Sequence, residues 1–191
     1  MKQVDIFTDG ACSGNQQEEN IGGWGCILEY KGVSKELCGG EINTTNNRME
    51  LTALIEALSA LKEKGLSIRV FSDSSYLINC FREKWVDNWM KNGWKTSAKK
   101  PVENRELWEK LTELMDGQSL KFYLVKGHVS LKSEASFRSG LEKFIKHNGA
   151  VEESDFRYIS ERNARCDELA NVFIKAQRGQ SSEETVDADE A

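Results

Sequence analysis

Hydrophobic and polar positions partly alternate in the first third of the chain and recur at helical spacing further on. Short apolar runs with intervening turns favour strands at 3–9, 22–30 and 34–42, which predicts an antiparallel meander. Apolar residues from Met49 to Leu61 then recur every three or four positions, which predicts a helix that Asn46 or Asn47 can cap and that ends near Gly65. Further strands are predicted at 67–72 and 119–126, and further helices at 75–82, 104–116, 134–147 and 165–178. This order indicates a mixed α/β domain with helices packed on a central sheet.

The composition indicates the class of protein and its cellular compartment. The chain has 191 residues, of which 39% are hydrophobic and 30% charged, as expected for one soluble globular domain. Its five cysteines are odd in number and form no C-x-x-C pair, so a zinc site or a disulfide framework is not expected. Reduced thiols fit a cytosolic or nuclear compartment, and a cytoplasmic location is expected. The sequence has no long apolar stretch, so neither a secretory signal nor a membrane span is expected.

Charge is unevenly distributed along the chain. Five of the 31 acidic residues lie in 179–191, which contains no Lys or Arg and is predicted to be an acidic disordered tail. Without it the formal charge is zero, although the whole chain carries −5. The segment 82–101 holds three of the five tryptophans, with six basic residues against two acidic ones. Such a local basic patch matters more for phosphate binding than the total charge.

Four acidic residues occupy positions from which they can converge. Asp9 and Asp73 each end a predicted strand, and Glu50 and Asp167 each lie in the first turn of a predicted helix. An isolated acid at such a place is usually a solvated turn residue or a complement to a helix N-terminus. Converging carboxylates, however, repel one another unless a cation lies between them, and oxygen ligands suit Mg²⁺.

Six short motifs carry a more specific signal, and they resemble motifs of the type 1 ribonuclease H family, in particular bacterial ribonuclease HI. They occur in the family's order at 7–15, 44–51, 72–74, 93–96, 125–128 and 165–170. The resemblance covers 1–178, apart from an insert at about 130–162 that separates His128 from Asp167. It implies a ribonuclease H-like fold, with a five-stranded mixed sheet of antiparallel strands 1–3 followed by parallel strands, and helices on both faces.

The resemblance also implies an activity, namely endonucleolytic hydrolysis of the RNA strand of an RNA–DNA hybrid that leaves 5′-phosphate and 3′-hydroxyl ends. Asp9, Glu50, Asp73 and Asp167 would hold two Mg²⁺ ions, for which Mn²⁺ is a possible substitute. His128 would assist proton transfer or product release. His147, the other histidine, matches no motif and is interpreted as a surface residue.

The same resemblance implies how the two strands of the hybrid are contacted by a monomeric enzyme. Minor-groove contacts are expected from loop and helix-entry residues, namely Gly10, Cys12, Asn15, Asn46 and Asn47. Thr45 and Arg48 resemble contacts to a DNA phosphate. In the basic segment 82–101, named the protrusion below, Trp94, Lys95 and Thr96 are expected to grip the DNA strand, whereas Trp85 is expected to pack.

Three other functions remain open at this point. A non-catalytic hybrid-binding protein would not need four clustered acids, and a nuclease directed at DNA would share the fold and the metal chemistry. A structural protein acting through its acidic tail would leave all six motifs unexplained. The motif Asn-Asn-Arg-Met-Glu at 46–50 and the protrusion favour the hybrid nuclease.

Overall fold

The computed structural model describes residues 2–14 and 20–187, with side chains as far as 179. Five strands form its sheet: β1 (Gln3–Ser13), β2 (Ile21–Tyr30), β3 (Val33–Ile42), β4 (Ser67–Ser72) and β5 (Ser119–Leu124). Six helices lie in the described ranges: α1 (Asn46–Ser59), α2 (Ser75–Arg82), α3 (Trp85–Lys91), α4 (Arg105–Met115), α5 (Glu134–Asn148) and α6 (Glu153–Asp187). None of the helices in these ranges is long and apolar enough to cross a membrane.

The strand order is β3-β2-β1-β4-β5. β1 pairs antiparallel with β2 and parallel with β4, and β4 pairs parallel with β5. The predicted mixed sheet is therefore confirmed, including the change from antiparallel to parallel pairing at β1. Because β1 and β4 run in the same direction, the residues that follow their paired stretch, which ends at Thr8 and Ser72, lie side by side.

Neighbouring residues of β1 point into different cores, as the two-residue period of a strand requires. Ile6 packs in a cluster with apolar residues of α1 and α4, including Leu54 and Trp108. Phe7 packs in a second cluster with α5 and α6, including Phe156. Helices thus cover both faces of the sheet, as predicted.

The beginning and the end of α1 differ from the prediction. Thr45, rather than Asn46 or Asn47, is the N-cap, and its hydroxyl accepts a hydrogen bond from the Arg48 backbone N–H at 3.3 Å. The helix ends at Ser59, before the expected stop at 62–65. Thr45 is the N-cap because its backbone is extended, which brings its hydroxyl close to the backbone N–H groups of the first turn that have no partner within the helix.

The last helix is longer than predicted. α6 begins at Glu153, so Asp167 lies in the middle of a helix and not in its first turn. Its first part is held by Phe156, which is fully buried against Phe137 and Phe144 of α5, and short-range periodicity cannot reveal such packing. The backbone is helical through Asp187, and the disorder expected of 179–191 stays a prediction. Residues 188–191 of that tail lie outside the described residues.

Candidate active site

Asp9 and Asp73 are brought together by the parallel pairing of β1 and β4, although β1 continues to Ser13, so Asp9 lies within its strand and not at the predicted strand end. Asp9 lies in β1, and its carboxylate accepts a hydrogen bond from the backbone N–H of Gly10 at 2.8 Å. Asp73 directly follows β4. Thr8 pairs with Ser72 in the register, so the two acids stand at the same level on neighbouring strands.

Glu50 comes from the other face of the sheet, and a glycine makes its approach possible. A Cβ atom at position 10 would lie 2.4 Å from the backbone nitrogen of Glu50, which no side chain could tolerate. Gly10 therefore lets the first turns of α1 lie directly on β1. This contact places the Glu50 side chain beside Asp9.

Asp9, Glu50 and Asp73 form a compact carboxylate cluster. Each offers one oxygen atom, and these three atoms lie within 4.8 Å of one another. Asp9 is 6% exposed and Glu50 3% exposed. The cluster lines a cavity of about 450 Å³, and Asp167 of α6 and His128 line the same cavity.

The charges of this cluster are poorly compensated by the protein. Burial, together with the charges of Asp73 and Asp167, raises the pKa of Asp9 to about 8. Burial is also the main reason why the pKa of Glu50 lies well above its ordinary value. Burial raises the pKa of Asp73 as well, although a hydrogen bond from Asn163 and the proximity of His128 act in the opposite direction. Shifts of this kind concentrate at functional sites.

These residues fit a divalent cation. The Glu50 Oε2 atom is buried, and within the described ranges no hydrogen-bond donor reaches it. Buried charged oxygens are costly unless they are paired or coordinate a metal. Three hard oxygen donors around one point are the ligand set that Mg²⁺ or Mn²⁺ prefers.

His128 stands on the loop that follows β5, at the rim of the cavity. Its backbone φ is 54°, a left-handed conformation that is uncommon outside glycine. The preceding Gly127 packs closely on Asp73, since a Cβ atom there would lie 2.3 Å from Asp73 Oδ2. The loop is thus pressed against the carboxylates.

The structure brings together most of the residues expected to contact the minor groove. Gly10, Cys12, Asn46 and Asn47 line the same cavity as the carboxylates. Asn15 lies outside the described residues.

Arg48, an expected phosphate contact, is occupied by groups of the chain itself. Its Nη1 atom donates to Glu106 Oε1 at 2.5 Å and to Asn104 Oδ1 at 3.3 Å. Thr45 stands one turn before it at the exposed start of α1. The guanidinium is therefore paired with an acid of α4, and Glu41 Oε2 of β3 lies 3.8 Å from its Nε atom.

The protrusion forms a separate groove of about 520 Å³ lined by α3 and the loop after it. Lys95 and Thr96 line this groove together with Trp85 and Trp89. Trp94 does not line it and instead packs half-buried against the core. Trp85 is 44% exposed, and its ring packs on Trp89, with the two ring centroids 6.4 Å apart. Trp89 also packs on the interior, with its ring centroid 5.5 Å from that of Trp108.

Asn163 is a site residue that the sequence did not suggest. It is buried on α6, and its side-chain amide donates to Asp73 Oδ2 at 3.3 Å. It lies four residues before Asp167 on the same helix. Asn163 could have been found only if the helix had been predicted to begin at Glu153. The irregular pattern of 148–163 does not indicate a helix there.

Comparisons with known proteins agree with this geometry. A family model described as RNase H matches residues 1–137. A ribonuclease H of Clostridium botulinum (strain Hall) is 48% identical over 171 residues, which cover 90% of this chain and 95% of the relative. A ribonuclease H of Chlorobium luteolum is 54% identical over 174 residues, which cover 91% of this chain and 97% of the relative.

Solved structures agree on the fold. LC9-RNase H1, described as a type 1 RNase H with the type 2 active-site motif, has a TM-score of 0.60 at 26% identity, covering 85% of this chain and 84% of that one. LC11-RNase H1 in complex with an RNA/DNA hybrid has a TM-score of 0.52 at 19% identity, covering 91% and 98%. The family model and the two relatives, each matched over most of its length, establish that the chain belongs to the ribonuclease H family of enzymes.

Proposed function

We propose that this chain is an endonuclease that hydrolyses the RNA strand of RNA–DNA hybrids with two Mg²⁺ ions. The observation that carries the proposal is the buried cluster of Asp9, Glu50 and Asp73, with Asp167 lining the same cavity. Family membership supports the activity, and LC11-RNase H1, which shares the fold, binds such a hybrid. Mn²⁺ is a possible substitute for Mg²⁺, because the same oxygen donors suit both ions.

The four acids have a common role in this proposal. Asp9, Glu50, Asp73 and Asp167 would hold the ions, with Asp9 central because Asp73 and Asp167 both act on its charge. When bound, a metal pair supplies Lewis-acid chemistry, which activates water and stabilises the leaving oxygen. Burial is the main cause that raises the pKa values of Asp9, Glu50 and Asp73, and a bound cation would oppose this shift by favouring their charged forms.

Hydrolysis forms a bond between the water oxygen and phosphorus and breaks the bond between phosphorus and the 3′-oxygen. The products are a 5′-phosphate on the downstream RNA and a 3′-hydroxyl on the upstream RNA, with the proton balance supplied by the water. His128, which lines the cavity, would assist proton transfer or product release, because an imidazole can both donate and accept a hydrogen bond. No side chain has to act as a nucleophile.

Recognition of the hybrid requires that the two strands be distinguished. Gly10, Cys12, Asn46 and Asn47 adjoin the carboxylates, where backbone and amide groups can read the 2′-hydroxyls of RNA without selecting a sequence. Thr45 and Arg48 at the start of α1, and Trp94, Lys95 and Thr96 of the protrusion, would contact the DNA strand. We propose further that the enzyme acts as a cytoplasmic monomer, in keeping with its free cysteines.

The decisive experiment is cleavage of an end-labelled RNA–DNA hybrid with and without Mg²⁺. RNA duplex, DNA duplex and single-stranded RNA are tested in parallel. The expected result is metal-dependent cutting of the hybrid's RNA strand alone, with product ends that a ligase requiring a 5′-phosphate accepts. Cutting of the DNA duplex, or hybrid binding without cutting in Mg²⁺ and in Mn²⁺, would contradict the proposal.

Two variants on α6 supply a matched comparison. Asp167→Asn removes the charge of an acid that lines the cavity, and Glu168→Gln removes that of the next residue, an exposed acid paired with Arg165. We expect the first to lose most activity and the second to retain it. Equal activity of both variants would remove Asp167 from the site.

A further inference from the structure

A second cleft adjoins the carboxylate cavity on the side of β5. Its volume is about 250 Å³, and it shares Asp73 and Ser75 with the larger cavity. Its other walls are the end of β5, the loop after it and the face of α5 that carries Lys143 and His147. The cleft therefore continues the catalytic cavity onto the helix of the insert.

The end of α5 is held firmly against β5. The Asn148 side chain accepts a hydrogen bond from the Leu124 backbone N–H at 3.0 Å and donates one to the Leu124 carbonyl at 2.8 Å. Arg82 of α2 donates to the carbonyls of His147 and Phe122 at 3.1 and 2.8 Å. It also donates to Asn148 Oδ1 at 2.6 Å. These bonds fix the position of His147, and of Lys143 one turn earlier, relative to Asp73.

Two lysines present positive charge in the cleft, and a histidine adds a polar group. Lys143 and His147 are four residues apart and thus share one face of α5, and Lys126 faces them from the loop after β5. Within the described ranges, no acid forms a salt bridge with Lys126 or Lys143. Asp73 is the acid among the lining residues, and in the proposed function it binds a cation.

We propose that this cleft binds a phosphate of the RNA strand next to the cleaved linkage. The inference rests on the proposed function, in which the RNA strand crosses the carboxylates. α1, with the DNA-strand candidates Thr45 and Arg48, packs mainly on β1 and β2, whereas the cleft lies at β5. Asp9 and Asp73 lie between the two, so a strand that passes over them reaches Lys143 and His147 next.

Lys146 provides an internal control for the test. It lies on the same helix and is exposed like Lys143 and His147, but it does not line the cleft. All binding measurements use protein that carries Asp9→Asn, in which no cutting is expected. In this background, hybrid binding by the Lys143→Ala/His147→Ala double variant is compared with binding by Lys146→Ala and by the parent. A thermal melt of each variant checks the fold.

The expected result is specific to the cleft. The double variant should bind the hybrid about fivefold more weakly at low salt, and the slope of log K against log salt should fall by about 0.7–0.9 for the lost phosphate contact. In the active protein, KM should rise while kcat changes little. Lys146→Ala should leave affinity, slope and KM near those of the parent.

Single neutral linkages identify the phosphate. Binding of hybrids that carry one methylphosphonate, in the RNA or in the DNA strand, is compared with binding of hybrids that lack it. For the RNA strand, both the modified hybrid and its control carry a 2′-O-methyl group at the same nucleotide, which protects the modified linkage. A neutral RNA linkage beside the cut should weaken binding by the parent but not by the double variant. A matching effect from a DNA linkage, or equal behaviour of the double variant and Lys146→Ala, would overturn the proposal. If the wild-type chain cuts no hybrid, the proposed function fails, and the binding slopes still decide whether the cleft binds phosphate.

Discussion

The side-chain amide of Asn163 holds the carboxylate of Asp73 by a hydrogen bond of 3.3 Å, across 90 positions of sequence. Asn163 belongs to the part of α6 that precedes the last motif, and Asp73 follows β4. Since Asp167 lies one turn further along α6, one helix supplies both a lining acid and a residue that orients another acid. The region after the insert is thus joined directly to the carboxylate cluster.

Asn163→Ala should lower kcat about tenfold with little change in KM. A hydrogen bond to a charged group contributes about 1.5–3 kcal/mol, and 1.4 kcal/mol corresponds to a factor of ten in rate. Steady-state kinetics on a hybrid measures both constants, with Glu161→Ala on the exposed side of α6 as the control. An unchanged kcat would show that Asp73 does not depend on this amide.

The metal-free protein should become less stable as the pH rises from about 5 to about 8. The pKa of Asp9 is raised to about 8 in the folded state, above its ordinary value near 3.8. The folded state therefore binds more protons than the unfolded state between these values, and stability falls across that window.

Asp9→Asn should remove part of this dependence and raise the melting temperature of the metal-free protein at pH 8 by a few degrees. In a domain of this size, 1 kcal/mol corresponds to about 2–4 °C. Thermal melts in a chelating buffer at pH 5, 6.5 and 8 measure the effect, and Mg²⁺ should stabilise the wild type more than the variant. A wild type whose stability rises with pH over this window would contradict the shift.

Glu106→Gln should tighten hybrid binding by about two- to fivefold at low salt. The carboxylate of Glu106 accepts a hydrogen bond from the Arg48 guanidinium. This hydrogen bond holds the pKa of Glu106 below its ordinary value. Removing its charge leaves Arg48 with the longer contact to Glu41, at 3.8 Å, so more of its charge is available to a DNA phosphate. Because Glu106 is well exposed, the lost ion pair should cost at most about 1 kcal/mol of stability.

The control for this comparison is Glu109→Gln, on the same helix, whose acid pairs with Arg105. Filter-binding or fluorescence titration over a range of salt concentrations distinguishes the two variants. Weaker binding by Glu106→Gln would indicate that the pair positions Arg48 instead of competing with the DNA.

Phe156→Ala should lower the free energy of unfolding by about 3–5 kcal/mol. Phe156 is fully buried, and its ring centroid lies 5.4 Å from that of Phe137 and 5.6 Å from that of Phe144. Denaturant unfolding measures the loss. Val172→Ala, at a half-exposed position of the same helix, should change stability by less than about 0.5 kcal/mol. A loss below 1 kcal/mol for Phe156→Ala would mean that α5 is not anchored through this contact.

Much of this molecule could be predicted from local patterns. The strand at 67–72 and the helix at 75–82 have the predicted bounds, because short apolar runs end in Asp73 and Ser74, and Ser74 caps the helix. The motifs around Asp9, Glu50 and Asp73 likewise indicated a carboxylate cluster before the strands could be paired. The bounds of these elements and the motifs themselves depend on residues within a few positions of one another, so the sequence alone contains them, whereas the distance between the acids depends on the fold.

The remaining features depend on contacts between distant residues, and only the tertiary structure decides them. Phe156 packs on α5 and carries α6 back to Glu153, which moves Asp167 to mid-helix and brings Asn163 to Asp73. The packing of α4 brings Glu106 to Arg48. The packing of α5 brings Lys143 and His147 into the cleft beside Asp73. Periodicity reports the face that a helix buries, but it does not report which partner covers that face. The amino-acid sequence therefore determined most of the elements and the identity of the acids, whereas packing determined the extent of α6 and which charges face the acids.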